Sequence, residues 1–294
     1  MDIRLRLPGS TSNLGPGFDA LGLALTIYNR IILCTRSDTD VNILVRGEGS
    51  DVLPSDQTNL FYQAAQATAK KAGKSLPGMD VEMVNDIPLA RGLGSSSTAI
   101  VGGVTAANML IDNPFSKSDV LDIANELEGH PDNVSPCLQG GLTISTVENG
   151  SVQCLRALPP DHLKAVVAVP DFELQTEAAR SALPQTVPYR DAVFNIGRAC
   201  LVTSALLLGD LDALKIGMHD RLHQPYRSCL IPGFDRVLDA ARQQGALGTA
   251  LSGAGPTLLA FATENAEAIG QAMVNAWQKD NIVARAHVLN IDSE

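Results

Sequence analysis

The chain has 294 residues, of which 45% are hydrophobic and 18% charged, a composition typical of a globular protein with one large or two medium domains. A formal net charge of −10 argues against a surface built for nucleic acid or for an acidic membrane. The five cysteines are scattered and form no C-x-x-C pair, which favours reduced thiols in a cytoplasm. We therefore expect a cytoplasmic protein with no secretory leader and no apolar run of membrane-spanning length.

Hydrophobic periodicity predicts strands and helices in mixed order along the chain. The predicted strands are residues 2–7, 23–34 (one or two strands), 41–45, 79–84, 142–147, 164–169 and 284–289, with a strand pair within 248–262. The predicted helices are residues 59–72, 98–110, 117–127, 173–182, 191–208, 233–243 and 264–278. Because strands and helices do not alternate strictly, we expect an α+β fold in two domains, residues 1–155 and 156–294.

The first loop, residues 8–22, contains four glycines and two prolines and carries Asn13 and Asp19. An amide both donates and accepts hydrogen bonds, whereas an ionised carboxylate only accepts, so the pair suits a substrate with an ammonium and a hydroxyl. The alternative is a tight structural loop with two solvated side chains. Residues 15–20 also match the G-x-G-x-x-A dinucleotide fingerprint, but Pro16 lies inside the turn and a strand is predicted to follow.

A second glycine-rich segment, residues 91–99, reads Arg-Gly-Leu-Gly-Ser-Ser-Ser-Thr-Ala and precedes an apolar, small-residue helix. Glycine lets the backbone approach a ligand closely, and serine hydroxyls add to the free amides at the positive end of the helix. This combination predicts a phosphate-binding loop, although not one with the common G-x-x-x-x-G-K-[ST] pattern. The alternative is a flexible linker before an ordinary helix.

Residues 126–133 place four ionisable groups and an amide at the end of the helix predicted for 117–127, whose capping box is Ser116 with Asp119. A kinase needs a carboxylate on Mg²⁺, because the metal neutralises charge between the phosphates. The alternative for this segment is a solvated loop.

His219 and His223 have the i, i+4 spacing of a zinc protease, but no third ligand is evident and Pro225 ends the helix too soon. The candidate for substrate binding in this segment is Arg227, which can hold a carboxylate through two parallel hydrogen bonds. Arg180 is a second candidate for the same role. A surface ion pair is the alternative for each arginine.

Three segments in order, residues 13–19, 88–97 and 252–257, resemble the three motifs of the GHMP kinase superfamily (galacto-, homoserine, mevalonate and phosphomevalonate kinases). Residues 252–257 alone would be explained equally well as a hairpin corner. The match extends over nearly the whole chain. It is closest to the homoserine kinase branch, because of Asn-Leu-Gly-Pro-Gly-Phe-Asp at 13–19, Glu-Gly-His-Pro-Asp-Asn at 128–133 and Gln-Pro-Tyr-Arg at 224–227.

The resemblance implies an N-terminal domain with a left-handed β-α-β unit, a C-terminal ferredoxin-like domain and an active site between them. It implies ATP- and Mg²⁺-dependent phosphorylation of the hydroxyl of L-homoserine, a step of threonine biosynthesis, with no nucleic acid or membrane partner. It also suggests a homodimer, although the sequence shows no recognisable dimer interface.

The resemblance also assigns residues to roles. It places Asn59 near the adenine and the phosphates of ATP on Pro88, Leu89, Ala90, Arg91, Gly92, Leu93, Gly94, Ser95, Ser96 and Ser97. It implies that Ser96 and Glu128 bind Mg²⁺. It assigns the substrate and the chemistry to Asn13, Asp19, His130, Asn133, Thr176, Arg180 and Arg227, with the two arginines on the carboxylate.

Two departures from the family pattern concern the segment around Asn133. Mevalonate-type members have an aspartate at this position, and an amide cannot accept the hydroxyl proton. The resemblance therefore implies catalysis by positioning and charge stabilisation, with the proton going to the phosphate or to water. The loop between Glu128 and His130 is also shorter than in some members.

Three alternatives remain open at the level of the sequence. The chain could be a GHMP kinase that acts on another small alcohol, such as mevalonate, shikimate or a sugar. It could also be a non-catalytic sensor that binds ATP, although Gly92, Gly94, Ser96 and Glu128 are intact. A dinucleotide-dependent dehydrogenase is the third.

Overall fold

The computed structural model describes residues 1–294 and contains ten strands and ten α-helices. The strands are β1 (Asp2–Ser12), β2 (Leu21–Thr35), β3 (Val41–Gly47), β4 (Met79–Asn85), β5 (Leu142–Glu148), β6 (Ser151–Ala157), β7 (Lys164–Pro170), β8 (Gly248–Leu251), β9 (Leu258–Ala262) and β10 (Ala284–Leu289). The helices are α1 (Leu60–Lys71), α2 (Ser95–Leu110), α3 (Lys117–Glu128), α4 (Pro131–Gln139), α5 (Thr176–Ser181), α6 (Tyr189–Leu208), α7 (Leu214–Gly217), α8 (Gln224–Arg227), α9 (Phe234–Gln243) and α10 (Ala266–Gln278).

The strands form two sheets, which confirms the predicted α+β class. The first sheet has the order β3-β4-β2-β5-β6, with β1 also paired to β2, and its only parallel pair, β3 with β4, is connected through α1. The second sheet is antiparallel with the order β10-β7-β9-β8, which is the strand order of a ferredoxin-like domain. The predicted boundary between residues 155 and 156 lies inside β6, and the chain crosses to the second sheet after that strand.

Three apolar clusters hold the two sheets and their helices together. One lies between the first sheet and helices α1 to α4, and another between the second sheet and helices α9 and α10. The third cluster joins the domains, because Leu23 of β2, Phe261 of β9 and Leu206 of α6 belong to it. The chain end returns to the first sheet, where Gly141 donates its N–H to the carbonyl of Asp292. The rim of this shared core is therefore a rigid place for a site.

The elements at the site differ most from the sequence prediction. Strand β1 does not stop at Pro8 but continues to Ser12, with a register shift between Pro8 and Gly9 that accommodates the missing N–H as a bulge does. Helix α2 begins at Ser95, three residues earlier than predicted. Helix α4 was not predicted, because its polar first turn and internal proline hide its periodicity, although Pro131 at its start is a favourable signal. The predicted capping box of α3 is confirmed.

Helix α6 corrects the expectation that no segment is long enough to span a membrane. It has 20 residues and a mean hydropathy of 1.4, so by length and composition alone it could do so. One side of α6 packs into the shared core through Val202, Ala205 and Leu206. Only 22% of the residues in its most apolar window are fully buried, and Val193, Ile196 and Leu207 on its other side are exposed.

Candidate functional site

The predicted segments converge on one cavity of about 200 Å³ at the rim between the two sheets. The end of β1, the glycine loop before α2, the start of α4, the start of α5 and the turn between β8 and β9 all contribute to its wall. Among the predicted residues that line it are Asn13, Asp19, Pro88, Ala90, Arg91, Gly92, Leu93, Gly94, Ser95, Ser96, Ser97, Glu128, His130, Asn133, Thr176, Arg180 and Arg227. Leu89 and Asn59 are the two predicted residues outside this lining.

The glycine loop is packed so closely that only glycine fits at two positions. Gly92 and Gly94 have φ of 74° and 75°, in the left-handed region that L side chains rarely adopt. A Cβ on Gly92 would lie 2.2 Å from the carbonyl oxygen of Ser252, and one on Gly94 would lie 2.3 Å from Ser10 Oγ. No side chain caps the first turn of α2. The free amides and the positive end of this 16-residue helix therefore face the cavity and suit an anion.

Arg91 uses its guanidinium to connect the glycine loop to the second domain. It donates to the carbonyls of Leu89 at 2.7 Å, Pro170 at 3.0 Å and Asp171 at 2.6 Å. The loop is thereby fixed to the end of β7. Three carbonyl partners leave little of this guanidinium for a phosphate, so the anion contacts come mainly from backbone amides and hydroxyls.

Glu128, the last residue of α3, lies beside the first turn of α2. Its Oε1 accepts hydrogen bonds from Ser97 Oγ at 2.8 Å and from Ser96 Oγ at 3.1 Å. A carboxylate and a hydroxyl are hard oxygen ligands, which fit Mg²⁺ where phosphate and water complete its shell. The structure holds no group of three or more His, Cys, Asp or Glu side chains able to bind a metal by themselves. A cation here would need the phosphates of a nucleotide.

The first loop carries an ion pair across the domain boundary. The carboxylate of Asp19 accepts two hydrogen bonds from Arg180, at 2.8 and 3.1 Å, and these bonds raise the pKa of Arg180. Asn13 fixes the loop by accepting the N–H of Asp19 and donating to the carbonyl of Gly253, both at 3.0 Å. Asn13 and Asp19 have φ of 68° and 56°, so the path that positions them is strained.

Arg227 is a buried charge without a carboxylate partner. The residue is 2% exposed, and its guanidinium donates to the carbonyls of Ala179 at 3.1 Å and Gly253 at 3.3 Å. Burial and, after it, the nearby Arg180 lower the pKa of Arg227. Both guanidinium groups lie over the ring of Phe18, at 5.1 Å for Arg227 and 5.6 Å for Arg180. The two arginines form a positive corner of the cavity that attracts a carboxylate.

His223, considered in the sequence only as half of a weak zinc pair, positions this corner. Its Nε2 donates to the carbonyl of Gly15 at 2.7 Å, its Nδ1 faces Arg227 Nη1 at 3.4 Å, and its ring stacks on Phe18. Burial lowers the pKa of His223, and a neutral ring with its proton on Nε2 satisfies both contacts. The carboxylate of Asp220, which is fully buried, accepts the backbone N–H of His223 at 3.0 Å. The positioning role of His223 is visible only once the chain is folded.

Asp132 is a second residue that the sequence prediction missed. It is buried, lines the cavity and accepts hydrogen bonds from His130 Nδ1 at 2.8 Å and Asn133 Nδ2 at 3.1 Å. Asn133 also donates to Ser12 Oγ at 3.0 Å and accepts from Ser10 Oγ at 2.8 Å. Burial favours neutral His130, but the hydrogen bond and charge of Asp132 outweigh it, so the pKa of His130 is raised. His130 therefore carries positive charge into the cavity more readily than a free histidine.

This pair predicts a pH-dependent contribution to stability. Because the folded-state pKa of His130 is raised, its contribution is fully present below the unfolded pKa and is lost as pH rises through the folded pKa. Urea unfolding should show a larger loss of stability for His130→Gln at about pH 5.5 than at about pH 8.5. A difference that is the same at both pH values, or larger at the higher one, would contradict the prediction.

Asn59 and Thr176 occupy less central positions. Asn59 is buried as the N-cap of α1, where its Oδ1 accepts the N–H of Phe61 at 3.0 Å and its Nδ2 donates to the carbonyl of Pro54 at 2.7 Å. Its side chain is thus engaged in capping, and a role near the adenine stays a prediction. Thr176 is the exposed first residue of α5 at the edge of the cavity.

Comparisons with known proteins agree with this geometry. The family model for the GHMP kinases N terminal domain matches residues 59–141, and that for GHMP kinases C terminal matches residues 202–279. A homoserine kinase of Synechococcus sp. is 45% identical over 99% of this chain and 96% of its own, and one of Desulfitobacterium hafniense is 42% identical over 99% and 98%.

Solved structures give the same result for the fold. The crystal structure of homoserine kinase from Cytophaga hutchinsonii has a TM-score of 0.90 and 32% identity, covering 100% of this chain and 96% of that one. The L. major mevalonate kinase in complex with R-mevalonate has a TM-score of 0.69 at 17% identity, covering 99% and 96%, and therefore shares the fold alone. The predicted two-domain GHMP kinase fold is confirmed.

Proposed function

This chain belongs to the GHMP kinases and, within them, to the homoserine kinases of threonine biosynthesis, and we propose that the cavity described above is its active site. The enzyme is an ATP-dependent kinase, and the reaction is transfer of the γ-phosphoryl group to the hydroxyl of L-homoserine. The single observation that carries the substrate assignment is the positive corner, where buried Arg227 lacks a carboxylate and Arg180 holds Asp19.

The Asp19–Arg180 pair provides a place for both ends of an amino acid. On our proposal the carboxylate of homoserine replaces Asp19 on Arg180 and also meets Arg227, while the ammonium of homoserine takes the freed Asp19. The exchange keeps every charge paired in a partly buried site, where an unpaired charge is costly. Mevalonate has a carboxylate but no ammonium, so it would leave Asp19 without a partner. A sugar would leave both ends unpaired.

The nucleotide would place its phosphates on the glycine loop and on the free amides at the start of α2. Ser96 and Glu128 fit Mg²⁺, which when bound neutralises charge between the β- and γ-phosphates. The anchoring of Arg91 to the end of β7 keeps the loop in place without reorganisation. Fixed amides of this kind stabilise the charge of a loose phosphoryl-transfer transition state.

No carboxylate stands where the mevalonate-type enzymes have a base. The amide of Asn133 is engaged with Ser10, Ser12 and Asp132 and has no basic atom. His130 is held toward its charged form by Asp132, so it suits stabilisation of negative charge better than removal of a proton. We propose that the hydroxyl proton leaves to the transferred phosphate or to water, and that positioning provides most of the rate enhancement.

The direct test is a coupled assay of ADP release with Mg-ATP and L-homoserine. D-homoserine, mevalonate, shikimate and galactose serve as comparators that all keep a hydroxyl. D-homoserine has the same groups in the opposite configuration, and the other three lack the ammonium, the carboxylate or both. Turnover with L-homoserine alone is expected. Turnover with another alcohol would keep the phosphate site and discard the assignment of the two arginines. ATP binding without any turnover would favour a sensor.

Removing His223 should weaken substrate binding more than chemistry. His223→Leu deletes the bond to Gly15 and the contact with Arg227, so we expect the KM for L-homoserine to rise about tenfold with kcat nearly unchanged. His223→Gln keeps a donor near the position of Nε2 and should recover most of the loss. Steady-state kinetics of the three proteins test this. Equal loss in both variants would mean that the donor to Gly15 is unimportant.

We also propose that the enzyme is cytoplasmic and works as a homodimer. The acidic charge and five free cysteines support the location. The resemblance to the family suggests the dimer, and the apolar face of α6 supports it, because Val193, Ile196 and Leu207 are exposed there.

A further inference from the structure

Helix α6 presents a continuous apolar stripe on the side opposite its core contacts. Tyr189, Val193, Ile196, Cys200 and Leu207 recur at spacings of four, three, four and seven residues, which places them in one line along the helix. All five are exposed, and Ile196 is 65% exposed at the middle of the line. The polar residue that anchors α6 to the site, Asn195, points the other way and is buried.

The centre of the stripe is shaped for a second helix. Gly197 lies beside Ile196, and a Cβ placed there would meet nothing within 4 Å. Cys200 and Ser204 continue this line of small, exposed side chains. Small residues let two helix backbones approach closely, while the larger apolar residues on either side pack around the contact.

Charge selects the partner for this face. The protein carries a net charge of −10, so most encounters between two copies bring acidic surfaces together. Between residues 192 and 209 there is no carboxylate and one basic residue, Arg198. The only acid within α6, Asp191, accepts a hydrogen bond from Arg221 at 3.2 Å. Two copies can therefore meet here without the repulsion that opposes contact elsewhere, and the same net charge disfavours an anionic membrane.

We infer that this stripe is the seam of the proposed homodimer, formed by two copies of α6 packed antiparallel about a two-fold axis near Cys200. In this arrangement Val193 faces Leu207 of the second copy, and each contact occurs twice, as a closed two-fold interface requires. Arg190, 84% exposed on its side chain, comes opposite Asp210 and the negative end of the second helix. A parallel pair would instead bring Arg190 against Arg190.

The dimensions suit a stable contact. A helix of 20 residues is about 30 Å long, and a typical stable interface buries roughly 800 Å² on each partner, so α6 would need its neighbours to complete the contact. Two exposed apolar neighbours extend the stripe, Leu208 at the end of α6 and Ile216 on α7, which packs against α6. The inference rests on the proposed homodimer but not on the identity of the substrate.

The test is the mass of the full chain by light scattering at micromolar concentration. The wild-type protein should have twice the 31.0 kDa mass of one chain, and Ile196→Lys should have the mass of one chain with an unchanged circular dichroism spectrum. Leu155→Lys is the matched control, because Leu155 is another exposed apolar residue, on β6, and its variant should stay dimeric. A monomeric wild type, or a dimer that survives Ile196→Lys, would overturn the seam.

Two further variants test the antiparallel register without placing a lysine in the middle of the interface. Arg190→Asp and Asp210→Arg should each weaken dimerisation at least tenfold, and the double variant should restore it. Mild oxidation should link two chains through Cys200, a product lost in Cys200→Ser and kept in Cys34→Ser, whose thiol is also exposed. Failure of the charge swap to restore the dimer would overturn the antiparallel arrangement.

Vesicle flotation and kinetics separate the remaining outcomes. If neutral phosphatidylcholine vesicles bind monomeric wild type but not Ile196→Lys, the face is a membrane surface and the dimer seam is wrong. ADP release by a monomeric wild type supplied with Mg-ATP and L-homoserine would reject the seam and keep the function. If the protein is a dimer, its variants behave as expected and no turnover is seen, the seam would stand and the proposed function would be rejected.

Discussion

Replacing Arg227 with alanine is expected to raise the KM for L-homoserine by about 100-fold while the KM for ATP changes less than about threefold. Arg227 is buried and donates to two carbonyls, so its guanidinium is fixed before substrate arrives. A charge that is already desolvated loses little on binding a carboxylate, which makes the new ion pair strong. The measurement is steady-state kinetics with each substrate varied in turn.

The controls for Arg227 separate charge, shape and folding. Arg227→Lys keeps the charge but loses the planar fork, so its KM should lie between those of the wild type and the alanine variant. Arg221→Ala removes a half-exposed arginine of the same segment, which pairs with Asp191, and should leave both KM values unchanged. Equal increases in both KM values for Arg227→Ala would show that the residue supports the fold rather than the carboxylate.

The secondary structure was predictable where hydrophobic periodicity, an apolar run or a helix cap marks an element in the sequence. The helix at 117–127 was predicted to within one residue, because periodicity and the capping box both identify it. The strand at 164–169 was predicted equally well, because its continuous apolar run marks a strand buried on both sides. Strand β1 was predicted too short, since Pro8 normally ends a strand and the bulge that tolerates it depends on pairing with β2. Helix α4 was missed because its first turn is polar and Pro136 interrupts its periodicity.

The site itself was predictable in its parts but not in its contacts. The glycine loop and Glu128 were recognised from motifs, and the structure brings them within hydrogen-bonding distance across two helices. The roles of His223 and Asp132 depend on burial, which local sequence does not reveal. The Asp19–Arg180 pair joins residues that are distant in sequence, so only the fold shows it. The α6 stripe stayed hidden because periodicity marks an apolar helix without saying which side the core covers.

Replacing Glu128 with glutamine is expected to lower kcat by about 100-fold or more, the loss typical of removing one preorganised electrostatic contact in a transition state. Glu128 is partly exposed at the end of α3 and bonds only Ser96 and Ser97, so the amide should preserve folding while it removes the charge that fits Mg²⁺. The loss should grow as free Mg²⁺ is lowered, because a weaker cation site needs more metal to fill.

Glu126→Gln is the matched control, because Glu126 precedes Glu128 by two residues on the same helix but faces solvent and pairs with Lys71. Its kinetics should match those of the wild type at every Mg²⁺ concentration. The KM for L-homoserine should stay nearly constant in both variants, since the positive corner of Arg180 and Arg227 is unchanged. If Glu128→Gln retained full kcat at limiting Mg²⁺, the carboxylate would have no part in holding the cation. The serine hydroxyls and the phosphates would then have to hold it alone.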